Sequence, residues 1–447
     1  MSESTILAHA AAKPIPKTTL LENLAWPFHF RNNALALIRR QHDRHGPVVS
    51  NGMGPLRNVS LFGPEANRFL LLDRDGIFSA KRSWELIMGR IFGGGLLLRD
   101  GADHRSHRRI LREAFRPAAL AEYSRRMNPR IEHTIANWIS EGNRILAFPA
   151  YKKLALEMAF DIFIGMEVGP EATRLNRCFE SMVAASMSIL RLPIPGLEFQ
   201  QGLEGKRQLT ETFSRLLAAR RANPGGDTLS RLCQAESEDG ERLNDQEIVD
   251  HTIFLMMAAH DTTTSTLTSL TYLLALHPEW QERIREESLA FGEAMVSFEN
   301  QDRLETLTHC IHETLRLYPP LSTIPRIAIR DFEYDGFAIS EGSMVTIYPI
   351  HTHRMPEWWT DPERFDPDRF SLGRQEHRRH THLWLPFGGG EHMCLGLRFA
   401  ELQIRCLMHQ LVRRVRWEIP DGYRMPVQEA PISKPRDGLP IRLTPLQ

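Results

Sequence analysis

The chain has 447 residues, 42% hydrophobic and 25% charged, which is ordinary globular composition, able to bury a large core and far from the signature of disorder. Its 55 Lys and Arg balance 55 Asp and Glu, which argues against a dedicated nucleic-acid binder. No run approaches the ~18–20 apolar residues that span a bilayer, and the start lacks the basic and apolar regions of a signal peptide, so no transmembrane anchor and a cytoplasmic location are expected.

Residues 1–25, including Ala10–Ala12 and Lys13-Pro14-Ile15-Pro16-Lys17, carry no periodic apolar face and read as an extended arm. Residues 26–447 read as one domain, because no repeat and no long linker divides them. Amphipathic spacing predicts helices around Leu35–Gln41, Ala118–Ser140, Tyr151–Ile164 and Arg207–Arg221. Strand signals are short, at Pro47–Ser50, Val59–Phe62, Ile327–Ile329 and Met344–Tyr348, which predicts a mainly α fold with small antiparallel β-sheets. Segments 223–227 and 236–240 read as surface loops. Next, Asn244 and Glu247 have the spacing of a capping box, and helical character persists to His277, before Pro278. At 1.5 Å per residue this rod is roughly 45–50 Å long. Its middle, Ala258-Ala259-His260-Asp261-Thr262-Thr263-Thr264, sets two small residues before an acid and three hydroxyls, and a threonine there can turn its hydroxyl onto the carbonyl four residues back.

The cysteines Cys178, Cys233, Cys310, Cys394 and Cys406 are widely spaced and form no CxxC pair, so neither a disulfide framework nor a thiolate zinc site is expected. Cys394 stands apart. It lies in Phe387-Gly388-Gly389-Gly390-Glu391-His392-Met393-Cys394-Leu395-Gly396, ahead of an amphipathic run to about Val415. A thiolate just before a helix sits where N–H groups and the positive end of the dipole favour negative charge. A glycine-rich turn before a helix also suits phosphate, but no Gly-Lys-Ser/Thr follows and no dinucleotide fingerprint is recognisable. Inert packing is the other plain reading of one cysteine.

These residues resemble the cytochrome P450 family, whose motif Phe-x-x-Gly-x-Arg-x-Cys-x-Gly is matched by Phe387, Gly390, Cys394 and Gly396, with His392 in place of the Arg. Further matches follow the family's order. Ala258–Thr263 resembles its oxygen-binding segment, with Ala259 for the commoner Gly; Glu313-Thr314-Leu315-Arg316 resembles its Glu-x-x-Arg helix; Asp361–Phe370 resembles its meander. The resemblance implies a single haem domain binding haem b (iron protoporphyrin IX), with Cys394 as axial ligand to the iron. It implies monooxygenation, in which one atom of O2 enters a C–H or C=C bond and the other leaves as water. A thiolate ligand favours O–O cleavage over simple electron transfer.

On that resemblance, Gly390 and Gly396 would let the loop pass close under the porphyrin, and Phe387 would shield the sulfur. Ala258 and Ala259 would leave space above the iron, while Asp261 and Thr262 would orient water and relay protons. The haem carboxylates need cationic or hydrogen-bonding partners, for which His392, Arg326, His104 and Arg108 are candidates. Glu313 and Arg316 share a helix face; by resemblance they form a buried structural network completed by a meander arginine, and Phe365-Asp366-Pro367-Asp368-Arg369-Phe370 selects Arg369 over Arg364.

No flavin or iron–sulfur module fits beside the haem domain, so electrons are expected from a ferredoxin and its NAD(P)H-dependent reductase, with Arg105, Arg109 and Arg112 as a face for an acidic donor. Leu321, Ile324 and Ile432, with Met182, Met187, Ile189, Leu190 and Ile194, suggest a largely apolar pocket for a lipophilic substrate. A sterol, terpenoid or retinoid is favoured; a fatty acid is the rival, with Arg82, Arg90 or Arg191 as its cation. A peroxide-driven peroxygenase and a non-catalytic haem or gas-binding protein are the alternative functions. His377, His380 and His382 read as a solvated loop, Gly93-Gly94-Gly95 as a turn, His260 as structural or solvent-facing, and the other four cysteines as packing.

Overall fold

The computed structural model describes residues 13–52, 57–167, 169–188, 190–237 and 239–446, with backbone alone at Leu24–Phe28 and Met187. The N-terminal half contains helices α1 (Leu20–His45), α2 (Pro64–Leu72), α3 (Ala80–Phe92), α4 (Gly101–Leu111), α5 (Pro117–Ser140), α6 (Ala147–Ile164) and α7 (Pro170–Met187). Then come α8 (Glu198–Ala222), α9 (Thr228–Gln234), α10 (Asp245–Leu276), α11 (Pro278–Ala290), α12 (Glu305–Leu317), α13 (Pro349–Thr352) and α14 (Leu397–Arg414). The strands are β1 (Val48–Asn51), β2 (Asn58–Leu61), β3 (Phe78–Ser79), β4 (Arg144–Leu146), β5 (Ile324–Ala328) and β6 (Phe332–Tyr334). The remainder are β7 (Phe337–Ile339), β8 (Met344–Ile347), β9 (Val415–Glu418), β10 (Val427–Gln428), β11 (Lys434–Pro435) and β12 (Pro440–Pro445).

Four of these strands, β1, β2, β5 and β8, fall on the segments with strand signals, and all four join one sheet of order β1-β2-β8-β5-β3. The sheet is mixed rather than antiparallel, because β2 and β8 run parallel with Val59 beside Val345 and Leu61 beside Ile347. Strands so far apart in sequence need no hairpin, which is what forces antiparallel pairing on neighbours. A second sheet, β4-β12-β9, closes the C-terminus.

Lys13 and Lys17 form single bridges to Phe337 and Ser50, and α1 begins at Leu20, inside the stretch expected as an arm. Its start is fixed by a capping box in which Thr19 Oγ1 accepts from Glu22 N–H and Glu22 returns to Thr19 N–H. The box at Asn244 and Glu247 is also present, starting α10 one residue later, and the rod ends at Leu276 ahead of Pro278. The main core packs α5, α6, α7, α8, α12 and α14 around α10. Along α10 most residues are buried, but mid-helix Met257, Ala258, Ala259 and Thr262 are partly exposed. Among the described residues no helix is long and apolar enough to cross a membrane.

Candidate active site

The cysteine loop is closed on itself by Cys394 N–H donating to the Phe387 carbonyl at 2.9 Å. Cys394 is exposed, whereas Cys178, Cys233, Cys310 and Cys406 are buried free thiols. Protein crowding around the sulfur pushes its pKa up, while the Gly396 N–H and Arg108 pull it down. The two motif glycines differ. Gly390 has φ +63°, and a Cβ there would stand 1.9 Å from the Leu71 carbonyl oxygen, so the end of α2 by itself demands a glycine at this position. Gly396 has φ −87°, and its Cβ would meet nothing nearer than Phe115 at 3.9 Å; no neighbour within the chain demands it.

His104, Arg108, Arg326 and His392 converge beside this loop. The His104 and His392 rings lie 4.1 Å apart, and burial, with Arg326, His104 and Arg108 nearby, drives the His392 pKa down to about 2. His104 is 1% exposed and its Nδ1 has no hydrogen-bond partner; the Glu391 carboxylate lies 3.6 Å away. Arg326 is 6% exposed, yet its only described side-chain bond is to the adjacent Pro325 carbonyl at 2.8 Å. Burial lowers its pKa to about 10 against the pull of Asp100 and Asp73. Arg108 is half-buried and makes no ion pair with a described carboxylate; burial and Arg112 lower its pKa, while Cys394 and Glu391 raise it.

Ala258, Ala259 and Thr262 lie on a partly exposed side of α10. Thr262 Oγ1 donates to the Ala258 carbonyl at 2.8 Å, the local bond open to a mid-helix threonine. Asp261 is buried, with His260 Nε2 at 3.1 Å and Lys152 Nζ at 3.6 Å from its Oδ1. Burial pushes its carboxyl up, but His260, Lys152 and Lys434 more than offset this and hold it at about 2. His260 is fully buried, its ring edge-on to Phe179 at 5.3 Å.

Glu313, Arg316 and Arg369 are each 0% exposed. Glu313 Oε2 accepts from Arg316 Nε at 2.6 Å, and Oε1 accepts from Arg369 Nε at 3.0 Å and Asp366 N–H at 2.9 Å. Arg316 also donates to the carbonyls of His353, Pro362 and Arg364. Arg369 Nη1 donates to Glu376 at 2.8 Å. Arg364 contributes only its carbonyl, and its side chain is exposed.

The chain matches the cytochrome P450 family over residues 14–440. It belongs to that family. It is 39% identical to cytochrome P450 136 of Mycobacterium tuberculosis over 406 residues, 90% of this chain and 82% of that protein. It is 27% identical to abscisic acid 8'-hydroxylase 2 of Arabidopsis thaliana over 93% of this chain and 86% of that one. The structure of retinoic acid bound cyanobacterial CYP120A1 superposes with a TM-score of 0.87 at 28% identity, covering 97% of this chain and all of that one. The chain is therefore a P450 monooxygenase with haem as its cofactor and O2 as a substrate, and the peroxide-driven and non-catalytic readings are set aside.

The residues of this P450 fit a haem. Cys394 offers an accessible thiol, and two arginines without an ion-pair partner among the described residues, with His104 Nδ1 unbonded, suit an anionic group carrying two carboxylates. Cys394 would hold the iron; His104, Arg108, Arg326 and His392 would hold the carboxylates. Residues that the sequence did not flag complete the surroundings. Asp100 lies 3.7 Å from His392, Glu391 faces His104, Glu376 balances Arg369, and Lys152 faces Asp261. None belongs to a local pattern; only the tertiary fold brings them in.

Of the expected pocket residues, Leu321 and Ile432 are brought together by an isolated bridge, with Ile324 partly exposed at the start of β5. Met182 does not line a pocket: it is fully buried in the main core. There α8 lies directly on α7, so closely that a Cβ at Gly202 would be 2.2 Å from that of Ala185. Leu190 and Ile194 are exposed on the α7–α8 connection. Ile189 and the Met187 side chain lie outside the described residues. The Gly93–Gly95 turn presses onto α10, where a Cβ at Gly95 would meet Phe254 at 2.4 Å. His377, partly buried, stacks on Phe370 at 5.0 Å, and His380 pairs with Glu65 at 3.0 Å.

Proposed function

We propose that this P450 oxidises an isoprenoid-like lipophile (a sterol, terpenoid or retinoid) in the cytoplasm, with electrons from a separate ferredoxin and NAD(P)H-dependent reductase. The observation that carries this reading is that Met257, Ala258, Ala259, Leu321, Ile324 and Ile432 are uncharged and at least partly accessible, with Leu321 and Ile432 joined by a bridge. Such residues suit an apolar skeleton. The fatty-acid rival needs a cation at the mouth, and two of its three candidates are engaged. Arg191 donates to the carbonyls of Leu86, Ser186 and Ser188, and Arg90 lies over the Phe199 ring at 4.7 Å. The names of the relatives, an abscisic acid hydroxylase and a retinoic acid complex, support an isoprenoid skeleton; both named compounds are carboxylic acids, so they bear on the skeleton and not on the cation.

In this reading bound haem supplies the oxygen-activating chemistry, and the chain's residues do the rest. Cys394 is the iron ligand, with Phe387 and Gly396 beside it, and His104, Arg108, Arg326 and His392 neutralise the cofactor's carboxylates. Asp261, held ionised, keeps His260 and Lys152 close as proton carriers, and Thr262 passes protons on from a hydroxyl otherwise bonded to Ala258. Glu313, Arg316 and Arg369 act as fold supports. The α4 face offers Arg112 without a described ion pair, whereas Arg105 already faces Glu391 at 3.3 Å and Arg109 faces Asp239 at 3.3 Å; an acidic ferredoxin would displace those carboxylates.

The test is a spectral titration of the haem-loaded protein with sterols, terpenoids, retinoids and fatty acids, followed by turnover with ferredoxin, reductase and NAD(P)H. Isoprenoids are expected to shift the Soret band and give an oxygenated product. A shift and product confined to fatty acids would overturn the substrate class.

A further inference from the structure

Two buried histidines join the helix that carries His104 and Arg108 to the rod α10. His107 of α4 and His251 of α10 meet with Nδ1 and Nε2 2.8 Å apart; among the described residues this is the one side-chain hydrogen bond between the two helices. His107 Nε2, on the other side of the ring, faces the Arg99 guanidinium at 3.0 Å, which only donates, and the Asp103 and Glu247 carboxylates at 3.3 and 3.6 Å, which only accept. The contact between His107 Nδ1 and His251 Nε2 is a hydrogen bond with either ring as the donor. Burial lowers both imidazole pKa values, that of His251 well below the ordinary value, which keeps the rings neutral. Arg99 is fixed in turn by Asp103 at 2.8 Å and by the Gly94 carbonyl at 3.2 Å. The result is a chain of contacts, Asp103–Arg99–His107–His251, ending inside the fold.

Its placement on α4 gives it a task. His104 and Arg108 are one turn apart on a helix stripe, and His107 lies on the flank between them. Arg108 makes no ion pair with a described carboxylate, so nothing but the setting of α4 aims its guanidinium towards the Cys394 loop. We propose that His251 is a positioning residue: acting through His107, it fixes the rotation of α4 and so aims His104 and Arg108 at the carboxylates of the cofactor. This rests on the proposed haem role of those two residues.

The test uses the haem-loaded protein. His251→Leu removes the hydrogen-bond partner of His107, whereas the His251→Gln amide can still donate to it or accept from it. The Leu variant should release haem to apomyoglobin about tenfold faster than the wild type. Its reduction potential should fall, because uncompensated carboxylate charge favours the ferric state. The Gln variant should stay within about twofold of the wild type. Release from the Leu variant at the wild-type rate, or from the Gln variant as fast as from the Leu variant, overturns the proposal. A second measurement needs no variant: nitrogen-15 spectra of labelled histidines must show coupling across the hydrogen bond between His107 Nδ1 and His251 Nε2, and its absence overturns the proposal even where His251→Leu fails to fold. Arg108→Leu separates the two readings. Unchanged haem release there removes the haem role of Arg108; faster release there beside an indifferent His251→Leu keeps that role and removes His251 from it.

Discussion

Gly390→Ala and Gly396→Ala form a matched pair whose outcomes should diverge. At Gly390 a Cβ would lie 1.9 Å from the Leu71 carbonyl oxygen, on a backbone with φ +63°. Ordinary C···O contact is about 3.3 Å, so the loop or the end of α2 must move by roughly 1.4 Å. Overpacking of this kind costs about 1–3 kcal/mol, and a left-handed alanine adds about 1–2 kcal/mol. A total of about 2–5 kcal/mol is a large share of the about 5–15 kcal/mol by which domains are stable. The loop that must move carries Cys394, four residues on. Gly396→Ala meets only Phe115 at 3.9 Å with φ −87°, so the haem-free protein should tolerate it. The assay is urea unfolding of both haem-free variants, with the carbon-monoxide difference spectrum of the haem-loaded forms reporting thiolate ligation. Gly390→Ala should lose stability in both forms and thiolate-ligated haem with it. Any deficit in Gly396→Ala should appear only in the loaded form. A Gly390→Ala protein that unfolds and ligates as the wild type does would refute the assignment of that glycine to Leu71.

The remaining predictions concern charge. Glu313→Gln should cost about 3–5 kcal/mol, because it leaves Arg316 and Arg369 buried with a missing counter-charge; the exposed-pair control Glu418→Gln should change urea stability by under about 1 kcal/mol, and equal effects would refute the distinction. The Asp261 carboxyl, at about 2 against an ordinary 3.8, adds stability that is complete above the ordinary value and lost as pH falls through about 2. Removing one of its cations with Lys152→Gln should raise that pKa, read by carbon-13 carboxyl titration. Arg326→Leu should stabilise the haem-free protein by removing a buried guanidinium without a carboxylate partner, yet weaken haem binding by about tenfold or more, measured by paired thermal and haem-transfer assays.

What the sequence reveals here is what local chemistry can encode. The rod α10 is legible because its cap, Asn244 with Glu247, and its stop, Pro278, are contiguous with the helix they bound. The partner of Glu313 is legible because the meander pattern fixes Arg369 over Arg364. Glu376 is not, although it is seven residues from Arg369, since no spacing rule requires the carboxylate that balances it. Gly390 is legible as a glycine but not for its cause, because the Leu71 carbonyl approaches from a helix more than three hundred residues earlier. Met182 looks like pocket lining by composition; the glycine-mediated contact of α8 on α7 turns it into core. Strand β3, two residues long, carries no periodicity to read, and the parallel pairing of β2 with β8 depends on the path of everything between them.

The arginines show why charge counting along the chain stops short of function. Arg316, Arg369, Arg108 and Arg326 are the same residue type in a chain of zero formal net charge, and each is wholly or partly buried. Arg316 and Arg369 meet Glu313 and Glu376 and a ring of carbonyls, so their charge is answered inside the fold and they lock the segment after α13 to α12. Arg326 meets only a carbonyl, and Arg108 makes no described ion pair. Desolvating a guanidinium without a counter-charge is unfavourable, and the unpaired two sit together with two low-pKa histidines beside the single exposed cysteine. The imbalance is therefore local and directional: it favours an anion beside the Cys394 thiol, the relation that a haem with two carboxylates, held by that sulfur, would satisfy.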